Sequence, residues 1–523
     1  MSERSTLISA SIAKPSAGIT FAMSIVAVIE LVRDATVIRI FGAGAVSDAY
    51  FLGIAIPMMV GGAFQSIGIQ VVMPWFCLSN ARDGDVGHAQ MSQMFFLLLV
   101  PILVMSLTSR YLAGVVAHLI AGPAIDVEML VAVLRPALPT LGLMAASAVL
   151  AAYLNAKERY SAVAWRRFTN SACFILAILL WPSRRIASSL GLAYLAGSTV
   201  ELGWLAFLAR PSIRCLISKK GIAEWRGLGR LFGSTVLPSV TLVLRALGTA
   251  AERVMAGYLA VGSVATLSYG RRATLALGRI FTEGMNTVVR SKASKAHAEG
   301  GQQETAEILS QGFRLLLLVL VPITAFVIVL RVPITRLLFA SEQFEAGEVT
   351  RTAAVIASFA AALPAYGLIP LFLSSFYAQG DTKTPSVHWL LLLALNLALD
   401  LAALRYLGLL GIALAYLVAR TLSALRAGWL VERRVTKLHV WRDAGFFTRL
   451  VIGGLGAGMT FWIVFTYVDH LVPAGTLGIL WAVVVSALAG EVAFVLIETL
   501  LGVRELRLGI QWLLHVIRRT TAV

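Results

Sequence analysis

Residues 33 to 53 read RDATVIRIFGAGAVSDAYFLG and place Arg33, Asp34, Arg39 and Asp48 between two strongly apolar stretches. With Glu30, the first charges fall at i, i+3 and i+4 of a helix, so Glu30, Arg33 and Asp34 can pair locally. A second charged series lies in SVATLSYGRRATLALGRIFTEGMNTVVR (263–290). At 100° per residue, Arg272, Arg279, Glu283, Asn286 and Arg290 fall within about 40° of one line, while the other faces are mostly Leu, Ala, Val and Ile. Arg245 and Glu252 are seven apart on one face, with Arg253 adjacent, and Asn396 and Asp400 sit i, i+4 in ALNLALDLAAL.

Charge inside an apolar helix costs several kcal/mol unless it faces a wet cavity or a partner. Arg33, Arg39, Arg245, Arg272 and Arg279 outnumber the nearby carboxylates Glu30, Asp34, Glu252 and Glu283. A positive chamber of low dielectric suits an anionic head group, above all phosphate, which arginine grips with two parallel N–H donors. The competing readings are an amphipathic helix lying at the interface and internal salt bridges that only fix the fold. Asn396 and Asp400, with Glu252 near, could form an oxygen-ligand cation site or a proton relay. Otherwise Asp400 caps a helix end or pairs with Arg405.

Enzyme chemistry finds no footing. The seven histidines show no metal-ligand spacing, and no nucleophile elbow, phosphate-binding loop or dinucleotide fingerprint is present. Cys77, Cys173 and Cys215 are too few and too scattered for a disulfide framework or metal cluster. IGGLGAGM (452–459) lies within an apolar run and reads as close helix packing.

The elements that must position these charges are membrane spans. The 523 residues are 58% hydrophobic and only 14% charged, against about 25% charged in ordinary globular domains; the mean hydropathy is +0.83. Runs such as FRLLLLVLVPITAFVIVL (313–330) are long enough to cross about 30 Å of hydrocarbon. The fold class is therefore an all-α polytopic membrane protein. About 14 spans are expected, centred near residues 25, 60, 102, 140, 175, 198, 243, 276, 322, 362, 394, 416, 457 and 487. The first is read as a retained span, since no small-residue cleavage site follows it.

Basic residues collect after even-numbered spans: Lys157, Arg159, Arg166 and Arg167; Arg210 to Arg230; Arg290, Lys292 and Lys295; Arg433 to Arg442. Both termini are then cytoplasmic, and most of the +17 net charge is topological rather than a signature of nucleic-acid binding.

GAGAVSDAYF (42–51) and AVGSVATLSY (260–269) share Gly-x-Val after a span, and LNAKERYS (154–161) and FYAQGDTKTP (376–385) recur at a similar offset. This faint repeat points to two six-span lobes around a central cavity, residues 1–228 and 229–438. Residues 439–503 add two spans, and 504–523 form a basic cytoplasmic tail.

RDATVIRIFGAGAVSDAYFLGIAIP (33–57) closely resembles the opening signature of the MurJ/MviN family, within the multidrug/oligosaccharidyl-lipid/polysaccharide exporter superfamily. ERVMAGYLAVGSVATLSYGRR (252–272) resembles that family's seventh-to-eighth span motif, and LNAKERYS and FYAQGDTKTP look like its loops after spans four and ten. The resemblance implies a 14-helix flippase of the bacterial inner membrane that moves an undecaprenyl-pyrophosphate-linked sugar, typically lipid II, by alternating access. It implies membrane lipids and the polyprenyl-linked glycan as partners, a lipid-tail groove between spans 13 and 14, and coupling to an ion gradient or membrane potential rather than a cofactor. A monomer is the default expectation. The family's head-group positions fall on Arg33, Asp48 and Arg272.

The chain departs from the family at Ala27, Gly61, Leu275 and Pro370, where charges are usual, and adds Arg271. These departures leave two alternatives open: a flippase for an exopolysaccharide or other lipid-linked oligosaccharide, and a non-transporting membrane scaffold.

Overall fold

The computed structural model describes residues 25–42, 44–67, 108, 111–157, 159–180, 186–210, 241, 243–244, 247–298, 301–339, 346–379, 381–438, 443–473 and 475–503. Among them the secondary structure is helical, and nine helices are long and apolar enough to cross a membrane. One of these, the 52-residue stretch Lys383–Arg434, is broken at Gly408, whose φ of 56° and ψ of −132° are not helical. An L side chain would be strained there, so glycine lets two spans follow each other with almost no loop. The nine helices thus account for the expected spans 2, 4, 5, 6 and 9 to 14. The charged stretches read as spans 1 and 8 are also helical, over 25–41 and Ser263–Ala298. The third span, centred near 102, lies outside the described residues.

The chain divides into two compact units. The first comprises Met1–Tyr269, Ser341–Phe344 and Trp389–Leu409, and the second Gly270–Ala340, Glu345–His388 and Leu410–Val523. The division at Tyr269 and Gly270 falls inside the Ser263–Ala298 helix. In the first unit the helix Ala187–Ala209 packs on Val127–Ala137, Thr140–Ala156 and Arg166–Leu180. Tyr50, Phe51, Tyr153, Phe174 and Tyr269 are fully buried there. In the second unit Phe313, Phe359, Phe372, Phe376 and Tyr416 have the same role, with Phe313 stacked on Phe372 at 5.9 Å between ring centroids.

Lipid tails are as apolar as leucine, so helices associate in a membrane through close packing and hydrogen bonds rather than water exclusion. Small residues mark where this happens. The last two spans, Ala444–Leu471 and Thr476–Leu500, form a hairpin in which Gly453 lies against Glu498 and Gly456 against Ile497. IGGLGAGM is thus a packing surface, as its composition suggested. In the same hairpin a Cβ at Gly490 would meet the Phe461 ring, which is itself fully buried. Gly490→Ala is therefore expected to destabilise the protein by about 1–3 kcal/mol, the usual cost of overpacking, read as a fall in the melting midpoint in detergent. An unchanged midpoint would show that the ring can yield.

Candidate functional site

In the first unit Arg33 is buried and held on three sides. Its Nη2 lies 3.2 Å from Asp34 Oδ1, its Nη1 donates to Ser171 Oγ at 3.5 Å, and its guanidinium carbon stands 5.8 Å from the Phe174 ring centroid. Within Glu30, Arg33 and Asp34, Arg33 pairs with its sequence neighbour Asp34, a contact that the i, i+3 and i, i+4 spacings did not predict. Rings continue from this point: Phe174 to Tyr50 at 5.8 Å, Tyr50 to Phe51 at 4.9 Å, Phe51 to Tyr269 at 4.7 Å. A contiguous aromatic row therefore joins Arg33 to the first turns of the eighth span. Arg39, six residues on, is exposed on another face of the helix.

Asp48 accepts two short hydrogen bonds from backbone N–H groups, Gly262 at 2.6 Å and Ala265 at 2.7 Å. Ala265 lies in the first turn of the Ser263–Ala298 helix, whose leading N–H groups have no partner within the helix, and Gly262 immediately precedes it. The carboxylate caps that helix, and its charge suits the positive end of the helix dipole. Asp48 is thus a latch between the start of span 2 and the start of span 8, where the resemblance implied a head-group contact. The two segments it joins are the two copies of the Gly-x-Val repeat.

The same unit holds a carboxylate–amide–carboxylate cluster. Asn396 Nδ2 donates to Glu252 Oε1 at 3.0 Å and to Asp400 Oδ2 at 2.6 Å, and all three residues are buried. Asp400 lies inside a helix rather than capping its end. The two carboxylates, bridged by one amide NH2 group, supply hard oxygen donors of the kind that hold sodium or calcium. Among the described residues no cluster of three or more His, Cys, Asp and Glu is present.

A buried ion pair escaped the sequence reading. Arg166, counted there among cytoplasmic loop charges, begins the helix Arg166–Leu180 and is buried. Its Nη1 lies 3.5 Å from Glu201 Oε1, and Asn170 Nδ2 donates to Glu201 Oε2 at 3.0 Å.

In the second unit the eighth span's faces separate as its periodicity requires. Gly270, Thr274, Gly278 and Thr282 pack against the helices Ala346–Ala361 and Leu363–Ala378, with Thr274 Oγ1 donating to Ile356 O at 3.4 Å. Asn286, at the edge of the expected polar stripe, turns into this packing and donates to Gly367 O at 3.4 Å. Arg272 and Arg279 remain half-buried on the stripe. The side chains of Glu283 and Arg290, and Arg245 as a whole, lie outside the described residues. Arg271, about 100° round the helix from Arg272, enters the packed side. Its guanidinium carbon lies 5.5 Å from the Phe359 centroid and 4.8 Å from that of Tyr416, whose ring also carries Arg420 at 4.8 Å. Adjacent arginines thus differ: Arg271 is held by aromatic faces, and Arg272 stays on the polar stripe.

The model of the family described as "Lipid II flippase MurJ" matches residues 37–491. The chain belongs to the lipid II flippase MurJ family. It is 26% identical over 438 residues to a probable lipid II flippase MurJ of Rhizobium meliloti (strain 1021), covering 80% of each chain. It is 23% identical over 369 residues to the lipid II flippase MurJ of Burkholderia cenocepacia, covering 68% of this chain and 71% of that one. Among solved structures, a lipid II flippase MurJ in an inward closed conformation superposes with a TM-score of 0.75 at 18% identity, over 92% of this chain and 98% of that one. An inward-facing MATE-family transporter of the MOP superfamily gives 0.66 at 15% identity, over 80% of this chain and 99% of that one. The polytopic transporter fold of MurJ is thereby shared, and a multi-pass membrane location with it.

One departure from the family has a visible physical correlate. Gly61 is buried against Met144, whose thioether occupies the room a side chain at 61 would need, and Tyr194 O–H donates to the Met144 sulphur at 3.7 Å. An arginine at 61 would have to displace Met144 from this packing. The structure offers no such account of Ala27, Leu275 or Pro370.

Proposed function

We propose that this chain carries lipid II, the lipid-linked peptidoglycan precursor, from the inner to the outer leaflet of the bacterial inner membrane. The observation that carries the reading is the match of the MurJ family model to residues 37–491. The half-buried Arg272 adds to it, because the substrate's diphosphate is the anion that bidentate guanidinium donors suit; Arg33 gives its own fork to Asp34 and contributes a fixed buried positive charge. The chain acts by alternating access as a monomer, with both termini cytoplasmic as the distribution of Lys and Arg indicates. On that orientation the hydrogen bonds from Gly262 and Ala265 to Asp48 lie at the outer face. The transporter performs no covalent chemistry.

Transport is coupled to a cation at Glu252, Asn396 and Asp400. Such a cation neutralises two carboxylates that share one amide donor inside a span, where uncompensated charge is costly. Asp400→Asn is expected to remove any sodium dependence of the melting midpoint while the protein stays folded, and to slow transport at least about tenfold, equivalent to about 1.4 kcal/mol. Sodium stabilisation persisting in this variant would place the cation elsewhere.

The decisive experiment is complementation in a bacterium whose own lipid II flippase can be switched off, with lipid II assayed on the outer leaflet. Growth and exposed lipid II establish the function. Failure with normal membrane levels transfers the assignment to another lipid-linked glycan, the alternative that Ala27 and Gly61 raise.

A further inference from the structure

The turn joining the last two spans closes over a cavity of about 390 Å³ within the second unit. Its walls combine apolar side chains, including Pro333, Phe465, Val472 and Ile479, with one exposed charge of each sign, Arg336 from the helix Arg331–Phe339 and Asp469 from the end of span 13. Neither side chain is hydrogen-bonded or ion-paired to the other or to another described residue. Gly475 contributes to the rim with φ 137°, a conformation an L side chain resists, so the turn keeps its backbone bare at the mouth. Around this end of the hairpin Tyr467, Leu471, Leu477 and Trp481 are exposed. Exposed tyrosine and tryptophan near the ends of spans mark the level of lipid head groups.

We propose that this cavity binds the head group of a phospholipid carrying both a phosphate and a primary ammonium, as in phosphatidylethanolamine. Two exposed opposite charges at one pocket that do not meet each other match a ligand that presents both signs a few bonds apart. Arg336 takes the phosphate through its guanidinium donors. Asp469 accepts hydrogen bonds from the ammonium, which a quaternary amine cannot donate. Phe465 stands without the ring of aromatic faces that recognises quaternary ammonium. The acyl chains then run down the exposed leucine and aromatic surface of the hairpin. This site is independent of the transport reading, which enters only in assigning it to the outer leaflet.

The test is native mass spectrometry of the delipidated full chain with dioleoyl phosphatidylethanolamine, phosphatidylglycerol and phosphatidylcholine added separately. The expected result is preferential binding of phosphatidylethanolamine. Asp469→Asn should weaken that lipid about threefold to fivefold, the scale of a solvent-accessible charge pair, while leaving phosphatidylglycerol unchanged. Arg336→Gln should weaken both, and Arg331→Gln, outside the cavity lining on the same helix, should weaken neither. The exchange Arg336→Asp with Asp469→Arg should not restore the preference, because the acyl chains fix which end of the head group lies deeper. Equal binding of the three lipids, a preference that survives Asp469→Asn, or restoration by the charge exchange would overturn the proposal; the last would reduce the pair to a simple salt bridge.

Discussion

Arg272→Ala is expected to abolish rescue of a flippase-depleted bacterium while leaving the amount of protein in the membrane unchanged. Arg272 is half-buried on the polar stripe of a 36-residue helix, away from the Gly270–Thr282 face that packs on its neighbours. A hydrogen bond to a charged group contributes about 1.5–3 kcal/mol, and a guanidinium fork offers two. Since about 1.4 kcal/mol is a factor of ten, transport should fall by about 100-fold or more. Arg272→Lys keeps the charge but loses the fork and should recover only part of the activity. Arg271→Ala supplies the contrast. Its loss removes contacts with Phe359 and Tyr416, worth about 1–2 kcal/mol for a desolvated cation on aromatic rings, so the midpoint should fall and transport per folded molecule should persist. If Arg272→Ala supports normal growth, the head-group role assigned to this residue is lost.

The second large effect concerns stability. Arg166→Met should destabilise the first unit by about 3–5 kcal/mol, because it leaves the buried Glu201 carboxylate without its counter-charge. Asn170 would still donate to it, but one amide does not replace a guanidinium. The double replacement Arg166→Met with Glu201→Met should recover most of the loss, since apolar residues of similar volume substitute for buried ion pairs at little cost. Melting midpoints of the purified variants in one detergent decide the matter. A single variant as stable as the parent would mean that Glu201 is solvated or protonated without Arg166.

The spans were readable in the sequence because an apolar run of membrane length has few alternatives. Where a span carried its own charges, periodicity alone placed them: Arg271 and Arg272 diverge as 100° per residue demands. Contacts across long separations were not readable in that way. Nothing in the neighbourhood of Asp48 announces that it caps a helix 214 residues later, and only the weak Gly-x-Val repeat hinted that the two segments belong together. Arg166 misled for a different reason. It sits in a basic cluster with Lys157, Arg159 and Arg167, and the rule that counts such clusters cannot see one member turning inward to Glu201. The Glu252–Asn396–Asp400 cluster lies between these cases. The i, i+4 spacing of its last two members was visible, whereas the hydrogen bond from Asn396 to Glu252 spans 144 residues.

The contact between Phe51 and Tyr269 has an implication for how the chain tolerates change. These residues end the two copies of the repeat, and they meet each other edge to face with an interplanar angle of 84°. In a symmetric dimer such a contact would be made by one residue with its own counterpart, so that a single codon change would alter both sides at once. Within one polypeptide the two positions vary separately, yet each remains the packing environment of the other. Enlarging one ring calls for shrinking its twin, and drift at either site is constrained by a residue more than 200 positions away in the sequence.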